Sequence, residues 1–527
     1  MTCSRPIFLL AALLILTLAA APRLPALTAR PFHGDEAVNA VKFKGLWERN
    51  DYKYDPREFH GPALPYASLP VVAATARNYP QTTEASYRLV TALFGIGLVA
   101  LTLCAAHGIG YPAAIIASLL TAISTAFVFY SRYYIHEMLL VTFTWCAILS
   151  GWRYSVRPSI TWAIACGASL ALMHATKETA LLAWAAMIAG IVTIRAATVR
   201  ERARMLVLER GPFPHGRGSR RVVAFGYGLL AFIAVYTLLF SSFFTNWPGV
   251  FDGVRTFFLY ADRGAGQAEP LHVHLWDWYL AHLLFYQAAP RAPWYSEAMI
   301  YILALVGIAA AWTQRDMILP RFLSVYGIVL AVIYCLIPYK TPWCVLSFWH
   351  AFVVLGGMGA ASLLRWSPLP AKAIVAAALV LGMGNLGWQC YRANFVLHTH
   401  WSNPWVYAHP IGSVREIGQR VEELAALHQD KEGMWVRVLD EENLWPVPFY
   451  LRKLNHVSYL KNGLPNDAEA PVLIVSDKRA DEVVARFGDR YVGPHNFGVR
   501  ADVKVSMFVH KELWEKFMER QHSKSPP

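Results

Sequence analysis

The chain has 527 residues, of which 56% are hydrophobic and only 16% charged, and its mean hydropathy is +0.33. Apolar runs of about 15 to 20 residues, the length that crosses a bilayer, exclude an ordinary soluble protein. The net charge of +13 does not indicate nucleic-acid binding, because the densest basic stretch, Arg195 to Arg221, lies between two apolar runs, as cytoplasmic loops do. The seven cysteines form no CxxC pair, which argues against a zinc site or a disulfide framework.

The first apolar run covers residues 6–22 and follows a single arginine, Arg5. Two interpretations are open for it. Ala19-Ala20-Ala21 resembles the cleavage site of a signal peptide, whereas an uncleaved first membrane span fits the ten further runs that follow. Either way, the loop that begins near Thr28 is expected outside the cytoplasm.

Ten more runs follow, and together with the first they predict a polytopic α-helical membrane protein of about eleven spans. They cover approximately 88–106, 112–130, 138–152, 159–173, 180–194, 222–241, 297–312, 321–337, 345–364 and 373–390. With a cytoplasmic N-terminus, the basic connections at Arg153/Arg157, Arg195–Arg221, Arg315/Arg321 and Arg365/Lys372 all fall inside. This agreement supports the orientation.

The same count puts the polar segments outside. It predicts a transmembrane domain over residues 1–391, with external loops 28–87 and 242–296, and an extracytoplasmic α/β domain over 392–527. In that domain, residues 414–424 show helical spacing, and 479–487 and 511–518 indicate further helices. Strands are predicted at 434–439, 472–475 and 503–509.

Two adjacent carboxylates, Asp35 and Glu36, stand just after the first run in the segment Pro31-Phe-His33-Gly-Asp35-Glu36. One interpretation is that they cap a helix starting near Ala37, because acidic residues are favoured at a helix N-terminus. The other is that Asp35 does chemistry, since the loop also carries His33, His60 and several aromatic residues.

Three short external turns carry further ionisable residues. Arg132, His136 and Glu137 lie in the first, where charged groups near the membrane usually pair or function, and an Arg132–Glu137 salt bridge is the structural alternative. Lys177 lies in the second, and Lys340 and Trp343 in the third. Each lysine is suited to holding a phosphate, or alternatively only anchors a helix end.

Several motifs together resemble the GT-C superfamily of membrane glycosyltransferases, in particular its protein O-mannosyltransferase and aminoarabinose-transferase-like families. A prokaryotic family labelled "flippase activity-associated" is closer still. The motifs are His33-Gly-Asp35-Glu36-Ala, Phe59-His60-Gly61-Pro62, Thr176-Lys177-Glu178-Thr179, Lys340-Thr-Pro342-Trp343, Asn403-Pro404 and Trp445-Pro446-Val-Pro448-Phe-Tyr450. They run along most of the chain.

The resemblance implies an inverting transfer of sugar from a polyprenyl-phosphate donor to a protein, lipid or glycan acceptor, in the plasma membrane and on its extracytoplasmic face. Asp35 matches the catalytic carboxylate and Glu137 the second acidic position. His60 stands where relatives carry a donor-contacting basic residue. The predicted catalytic residues are Asp35, Glu36 and Glu137, and the predicted substrate-binding residues are His33, His60, Arg132, His136, Lys177, Lys340 and Trp343.

Some relatives use a divalent metal, for which Asp35 and Glu137 offer oxygen ligands, and others need none, so a metal stays open. The rival function is a transporter or flippase for lipid-linked sugars. A transporter favours internal repeats and charged or broken helices at the bilayer midplane, whereas here the polar residues collect at span ends. A catalytically inactive scaffold in a glycosylation complex is a third reading.

Overall fold

The computed structural model describes residues 5–57, 60–206, 218–264, 272–314, 317–439, 444–461 and 470–524. Phe59, Arg315 and residues 207–217 of the stretch between Arg195 and Arg221 therefore lie outside the described residues. The chain divides into two compact units. The first comprises Met1–Pro25, Tyr52–Ala67 and Arg88–Tyr407, and the second Ala26–Asp51, Ser68–Tyr87 and Ala408–Pro527. The division at residues 391 and 392 stays a prediction.

Helices account for most of the first part of the chain. In chain order they are α1 (Arg5–Ala20), α2 (Gly34–Arg49), α3 (Ala63–Thr75), α4 (Glu84–Leu103), α5 (Ala106–Ile109), α6 (Tyr111–Ile123), α7 (Thr125–Ser131), α8 (Glu137–Val156), α9 (Ile160–Thr176), α10 (Ala180–Leu206), α11 (Gly218–Phe240), α12 (Pro248–Gly264), α13 (Trp278–Leu284), α14 (Ala298–Thr313), α15 (Ile318–Leu336), α16 (Leu346–Trp366) and α17 (Leu369–Tyr391). A two-stranded ribbon, β1 (Tyr286–Gln287) and β2 (Trp294–Tyr295), interrupts them.

Each of the eleven predicted apolar runs falls on a helix, which confirms a multi-pass membrane protein. Six described helices are long and apolar enough to cross a bilayer, or up to seven if α6 and α7, bent by 58° at their junction, form one span. Four apolar helices are shorter, namely those at 6–20, 63–75, 160–176 and 298–313. The expected count of eleven spans is therefore not confirmed.

The second unit contains a five-stranded sheet in the order β4-β3-β5-β7-β6. The elements of this part are α18 (Ser413–Ala425), β3 (Trp435–Leu439), α19 (Val447–Tyr450), β4 (His456–Leu460), β5 (Val472–Ser476), α20 (Ala480–Phe487), β6 (Tyr491–Arg500), β7 (Val503–His510) and α21 (Lys511–Lys524). Strand β3 pairs in parallel with β4 and β5, whereas β7 pairs antiparallel with β5 and β6. The three predicted strands and three predicted helices are confirmed, and β4 and β6 were not predicted.

Polar contacts tie the segment before α2 into this second unit. The guanidinium of Arg415 donates to the carbonyl oxygens of Thr28 (2.6 Å) and Arg30 (2.5 Å) and to the carboxylate of Glu84 (2.9 Å). The hydroxyl of Tyr450 also donates to Glu84 and accepts from the backbone N–H of Phe32, at 2.9 and 2.8 Å. These bonds fix the backbone directly in front of His33 and Asp35.

Candidate active site

Helix α2 begins at Gly34, one turn before the start expected near Ala37, because the side chain of His33 acts as its N-cap. The Nδ1 atom of His33 accepts a hydrogen bond from the backbone N–H of Asp35 (3.1 Å), and the carboxylate of Glu36 accepts one from the backbone N–H of His33 (3.0 Å). This reciprocal pair satisfies two N–H groups that a helix start leaves without partners.

The capping arrangement separates the two adjacent carboxylates. Glu36 is fully buried and its carboxylate takes part in the cap. The Asp35 side chain, in contrast, is 55% exposed, and its nearer oxygen lies 3.9 Å from Nδ1 of His33. Only Asp35 of this pair therefore presents a carboxylate that an incoming hydroxyl can reach.

His33 is held in its neutral form. Burial lowers the pKa of its ring, and this outweighs the opposite effect of Asp35 and Glu36, while Arg500 and Arg30 lower the pKa further. The ring also packs against that of His409, with centroids 5.6 Å apart. A neutral ring is what the cap requires, because Nδ1 must carry a lone pair to accept from Asp35.

We expect His33 to make the folded state sensitive to acid. The unfolded chain takes up a proton at the ordinary histidine pKa of about 6.5, whereas the folded chain resists it to lower pH, so the free energy of unfolding falls as pH drops below that value. His33→Asn should change the free energy of unfolding at neutral pH by less than about 1 kcal/mol, since asparagine is a good N-cap. It should also remove the part of the pH dependence of stability that comes from the His33 ring. Melting temperatures at pH 7.5 and 5.5 measure both effects.

His33→Ala is the matched control, because it removes the titrating ring and the cap together. It should lower the stability at pH 7.5 by about 1 kcal/mol. An unchanged difference between the two pH values in His33→Asn would show that other groups set the acid sensitivity.

In the first unit, His60 is positioned by a close backbone approach. The N–H of Gly61 donates to the carbonyl oxygen of Thr176 (3.2 Å), and a Cβ at Gly61 would come within 2.1 Å of the carbonyl oxygen of Ala175. A larger residue is therefore not accommodated without moving the loop or the end of α9. This contact brings Nδ1 of His60 to 2.9 Å from the carboxylate of Glu178.

A second carboxylate lies next to this pair. Glu137 accepts a hydrogen bond from the ammonium group of Lys177, and both side chains are more than nine-tenths buried. The sequence offers a salt bridge with Arg132 as the structural alternative for Glu137, whereas in the structure Glu137 forms a salt bridge with Lys177. The ring of His136 lies 5.0 Å from that of His60. Four predicted site residues therefore come together here.

Glu178, an acidic group of this cluster, is kept ionised. Burial alone would raise the pKa of Glu178, but His60 and then Lys177 outweigh it and lower that pKa to about 2. Burial likewise disfavours the charged form of Lys177, but the attraction of Glu137 raises its pKa well above the ordinary value. Glu178 and Lys177 therefore both carry their charges at neutral pH.

The other predicted residues of this unit have different surroundings. The guanidinium of Arg132 donates to the carbonyl oxygens of Pro22 (2.9 Å) and Pro25 (2.6 Å) and lies over the ring of Phe395. Burial lowers its pKa to about 10. The ammonium group of Lys340 donates to the carbonyl oxygen of Ile337, just past the end of α15, which is the arrangement of a helix-end anchor.

Trp343 contributes an aromatic wall in the same unit. Its ring lies 6.1 Å from that of Tyr133 and 5.7 Å, edge to face, from that of Tyr407. His33, Asp35 and Glu36 belong to the second unit, and His60, Arg132, His136, Glu137, Lys177, Lys340 and Trp343 to the first. The structure therefore describes the predicted site in two parts.

Sequence reasoning missed Glu297, a buried carboxylate at the start of α14. It accepts from the hydroxyl of Ser124 (2.8 Å), the backbone N–H of Ala126 (3.1 Å) and the indole N–H of Trp349 (2.6 Å). Ser124 and Ala126 lie at the bend between α6 and α7. Helix α7 ends at Ser131, directly before Arg132. The sequence does contain a signal for it, because Glu297 is the acidic residue at the start of the apolar run 297–312, and ionisable residues in such runs usually pair or function.

We expect Glu297→Ala to lower the free energy of unfolding by roughly 2–3 kcal/mol, because it leaves buried donors without an acceptor. Glu297→Gln retains one acceptor oxygen and should cost less. Melting temperature of the purified protein is the measurement. Trp349→Phe, which removes one donor only, is the control, and its stability should fall between those of Glu297→Gln and Glu297→Ala. A stable Glu297→Ala protein would contradict the role of Glu297 as a buried acceptor.

The described residues do not fit a divalent metal site. Among them, no group of three or more His, Cys, Asp and Glu side chains lies close enough together to hold a metal ion. The Glu137 carboxylate is paired with the ammonium group of Lys177, and the Glu178 carboxylate lies 2.9 Å from Nδ1 of His60, so both carboxylates already have protein side chains as partners.

Comparison with known proteins gives both a sequence match and whole-chain structural matches. Residues 66–245 match the family described as dolichyl-phosphate-mannose-protein mannosyltransferase. No match was found among curated protein sequences. The structure is similar to ArnT from Cupriavidus metallidurans bound to undecaprenyl phosphate, at 13% identity and a TM-score of 0.59, covering 96% of this chain and 98% of ArnT.

Two further structures show the same fold. The apo state of ArnT matches at 12% identity and a TM-score of 0.59, covering 95% of this chain and 97% of ArnT. The Archaeoglobus fulgidus oligosaccharyltransferase, tethered to an acceptor peptide, matches at 11% identity and a TM-score of 0.51, covering 98% of this chain and 78% of that enzyme. The chain therefore has the fold of ArnT and of this oligosaccharyltransferase over nearly its whole length, and its residues 66–245 match the mannosyltransferase family in sequence.

Proposed function

We propose that the protein transfers a sugar, with inversion, from a polyprenyl-phosphate donor to an acceptor hydroxyl or amide. The observation that carries this proposal is the difference between the two neighbouring carboxylates. Glu36 is buried in the helix cap, whereas Asp35 is half exposed and fixed at the first turn of the same helix. An available, positioned carboxylate is what a general base needs.

In the proposed reaction, the Asp35 carboxylate takes the proton from the acceptor group as that group attacks the anomeric carbon. The new bond forms on the face opposite the phosphate, and the bond between the anomeric carbon and the phosphate oxygen breaks. Polyprenyl phosphate leaves with the electron pair. One proton moves to Asp35, and the sugar configuration inverts.

The leaving phosphate gains negative charge and requires cations nearby. Among the candidates in the first unit, His60 is the more accessible, with 31% of its side chain exposed, whereas Lys177 is 7% exposed and paired with Glu137. We therefore assign the phosphate contact to His60. Glu178, which lies 2.9 Å from Nδ1 of His60, orients the imidazole ring. Lys177 supports the site by neutralising Glu137.

The donor class is supported by the relatives. The matched family is described by a dolichyl-phosphate mannose donor, and one ArnT structure contains undecaprenyl phosphate. A lipid-linked donor requires a site at the membrane surface, and the cluster around His60 lies at the ends of apolar helices α8, α9 and α10. We place this surface on the extracytoplasmic face of the plasma membrane, because the basic connections of the chain lie on the opposite side.

A panel of radiolabelled polyprenyl-phosphate sugars, offered to the purified protein in vesicles, tests the proposal. Turnover with one donor, lost in Asp35→Asn, is the expected result and identifies the sugar. Movement of labelled lipid across the vesicle without any transfer would instead support the flippase alternative. Inversion is checked by the anomeric configuration of the product.

A further inference from the structure

One face of helix α12 is apolar and exposed. Phe251 is 78% exposed, Val254 53% and Phe258 74%, and Trp247, just before the helix, is 56% exposed. Their spacing of three and four residues places all four side chains on one stripe of the helix surface. Large contiguous apolar surfaces of this kind mark an interaction site.

The opposite face of α12 is pressed against the end of α11. A Cβ at Gly249 would come within 2.1 Å of the carbonyl oxygen of Phe240, and one at Gly253 within 2.6 Å of the hydroxyl of Tyr236. That hydroxyl donates to the carbonyl oxygen of Val250 (2.6 Å). The two glycines therefore allow α12 to lie directly against the last turns of α11.

A buried histidine fastens the same face. The Nε2 atom of His174 lies 2.9 Å from the carbonyl oxygen of Gly253 and donates to it, and its ring stacks on that of Phe257 with centroids 4.5 Å apart. These contacts fix which side of α12 faces the protein. The exposed stripe is therefore a fixed surface.

We propose that the stripe formed by Trp247, Phe251, Val254 and Phe258 is buried in the lipid bilayer, with α12 lying in the membrane interface. The occupant is indicated by continuity with α11, an apolar helix long enough to cross a membrane, which also exposes large side chains such as Phe225 and Leu230. Aromatic side chains are the residues enriched at the interface. An amphipathic helix of this kind buries its apolar face about 5–10 Å deep.

Helix α12 also contacts the candidate site around His60. Tyr260 lies two residues beyond Phe258, and its ring is 5.8 Å from that of His60. One side of α12 then faces lipid, and the other side contacts the cluster around His60. The headgroup of a lipid-linked donor and this cluster would therefore lie at the same depth in the membrane.

The test replaces Phe251 or Phe258 with a genetically encoded fluorescent amino acid in the full chain, reconstituted in vesicles. Leu230, exposed on α11, is the reference for lipid, and Asp489, exposed in the second unit, is the reference for water. Acyl-chain-brominated lipid should quench the probe at 251 and 258 at least about threefold more than at 489, as expected for a buried apolar face. Aqueous iodide should give the reverse order.

Two outcomes overturn the inference. Iodide quenching at 251 and 258 equal to that at 489 would mean that the stripe faces water. Protection from both quenchers would mean that another protein surface, either a second copy or another part of this chain, covers it. Unchanged melting temperatures of the labelled proteins exclude misfolding as the cause of either result.

Discussion

Asp35→Asn is expected to lower the rate of sugar transfer by about 10²–10⁴-fold, the range that general-base catalysis contributes. The amide is nearly isosteric with the carboxylate but cannot take a proton from the acceptor. The protein should remain folded, because the cap of α2 uses the backbone N–H of Asp35 and the side chains of His33 and Glu36. Losing one exposed charge at a helix N-terminus costs about 0.3–1 kcal/mol.

Asp51→Asn is the matched control, since Asp51 is an exposed aspartate just beyond the other end of α2. It should transfer sugar at the normal rate. Initial rates at saturating donor and acceptor, with melting temperatures alongside, separate catalysis from folding. Near-normal turnover in Asp35→Asn would remove Asp35 from the role of base.

Lys177→Ala is expected to lower the free energy of unfolding by about 3–5 kcal/mol, because it leaves the Glu137 carboxylate buried without its cation. The double variant Lys177→Met with Glu137→Leu removes both charges and should recover most of that loss, since apolar residues of similar volume can replace a buried ion pair. Thermal unfolding of the wild type, of Lys177→Ala and of the double variant, all in the same detergent, measures these differences in stability.

An exposed ion pair offers the control. Lys453 lies 2.7 Å from Glu422 with both side chains partly exposed, so Lys453→Ala should cost no more than about 1 kcal/mol. If the double variant is stable and yet transfers no sugar, the charges of the pair serve catalysis as well as folding. If it is as unstable as Lys177→Ala, the buried-charge explanation is wrong.

The sequence was sufficient for the features that arise from local pattern. Apolar runs long enough to cross a bilayer predicted the helices, since a run's length and hydropathy need no partner to be recognised. The short apolar stretches at 434–439, 472–475 and 503–509 identified β3, β5 and β7, whose residues are largely buried. Strands β4 and β6 lie at the two edges of the sheet and carry many exposed residues, so their pattern was weaker.

The sequence also singled out the residues of the candidate site, because charged groups beside membrane spans are rare and stand out. It did not determine how they pair. The sequence offers Arg132, five residues away, as a partner for Glu137, whereas in the structure Glu137 pairs with Lys177, which is 40 residues away on another turn. His60 and Glu178 are 118 residues apart.

The difference between Asp35 and Glu36 shows the same limit. As neighbours in the sequence they are chemically alike, and nothing local states which one is available. The helix start at Gly34 turns Glu36 back toward the backbone N–H of His33 and leaves Asp35 exposed. The sequence by itself determined the membrane-spanning helices and the kinds of residue at the site, because these depend on hydropathy and composition. Only the tertiary structure decided which charges neutralise each other and which carboxylate stays free, because long-range packing sets burial and distance.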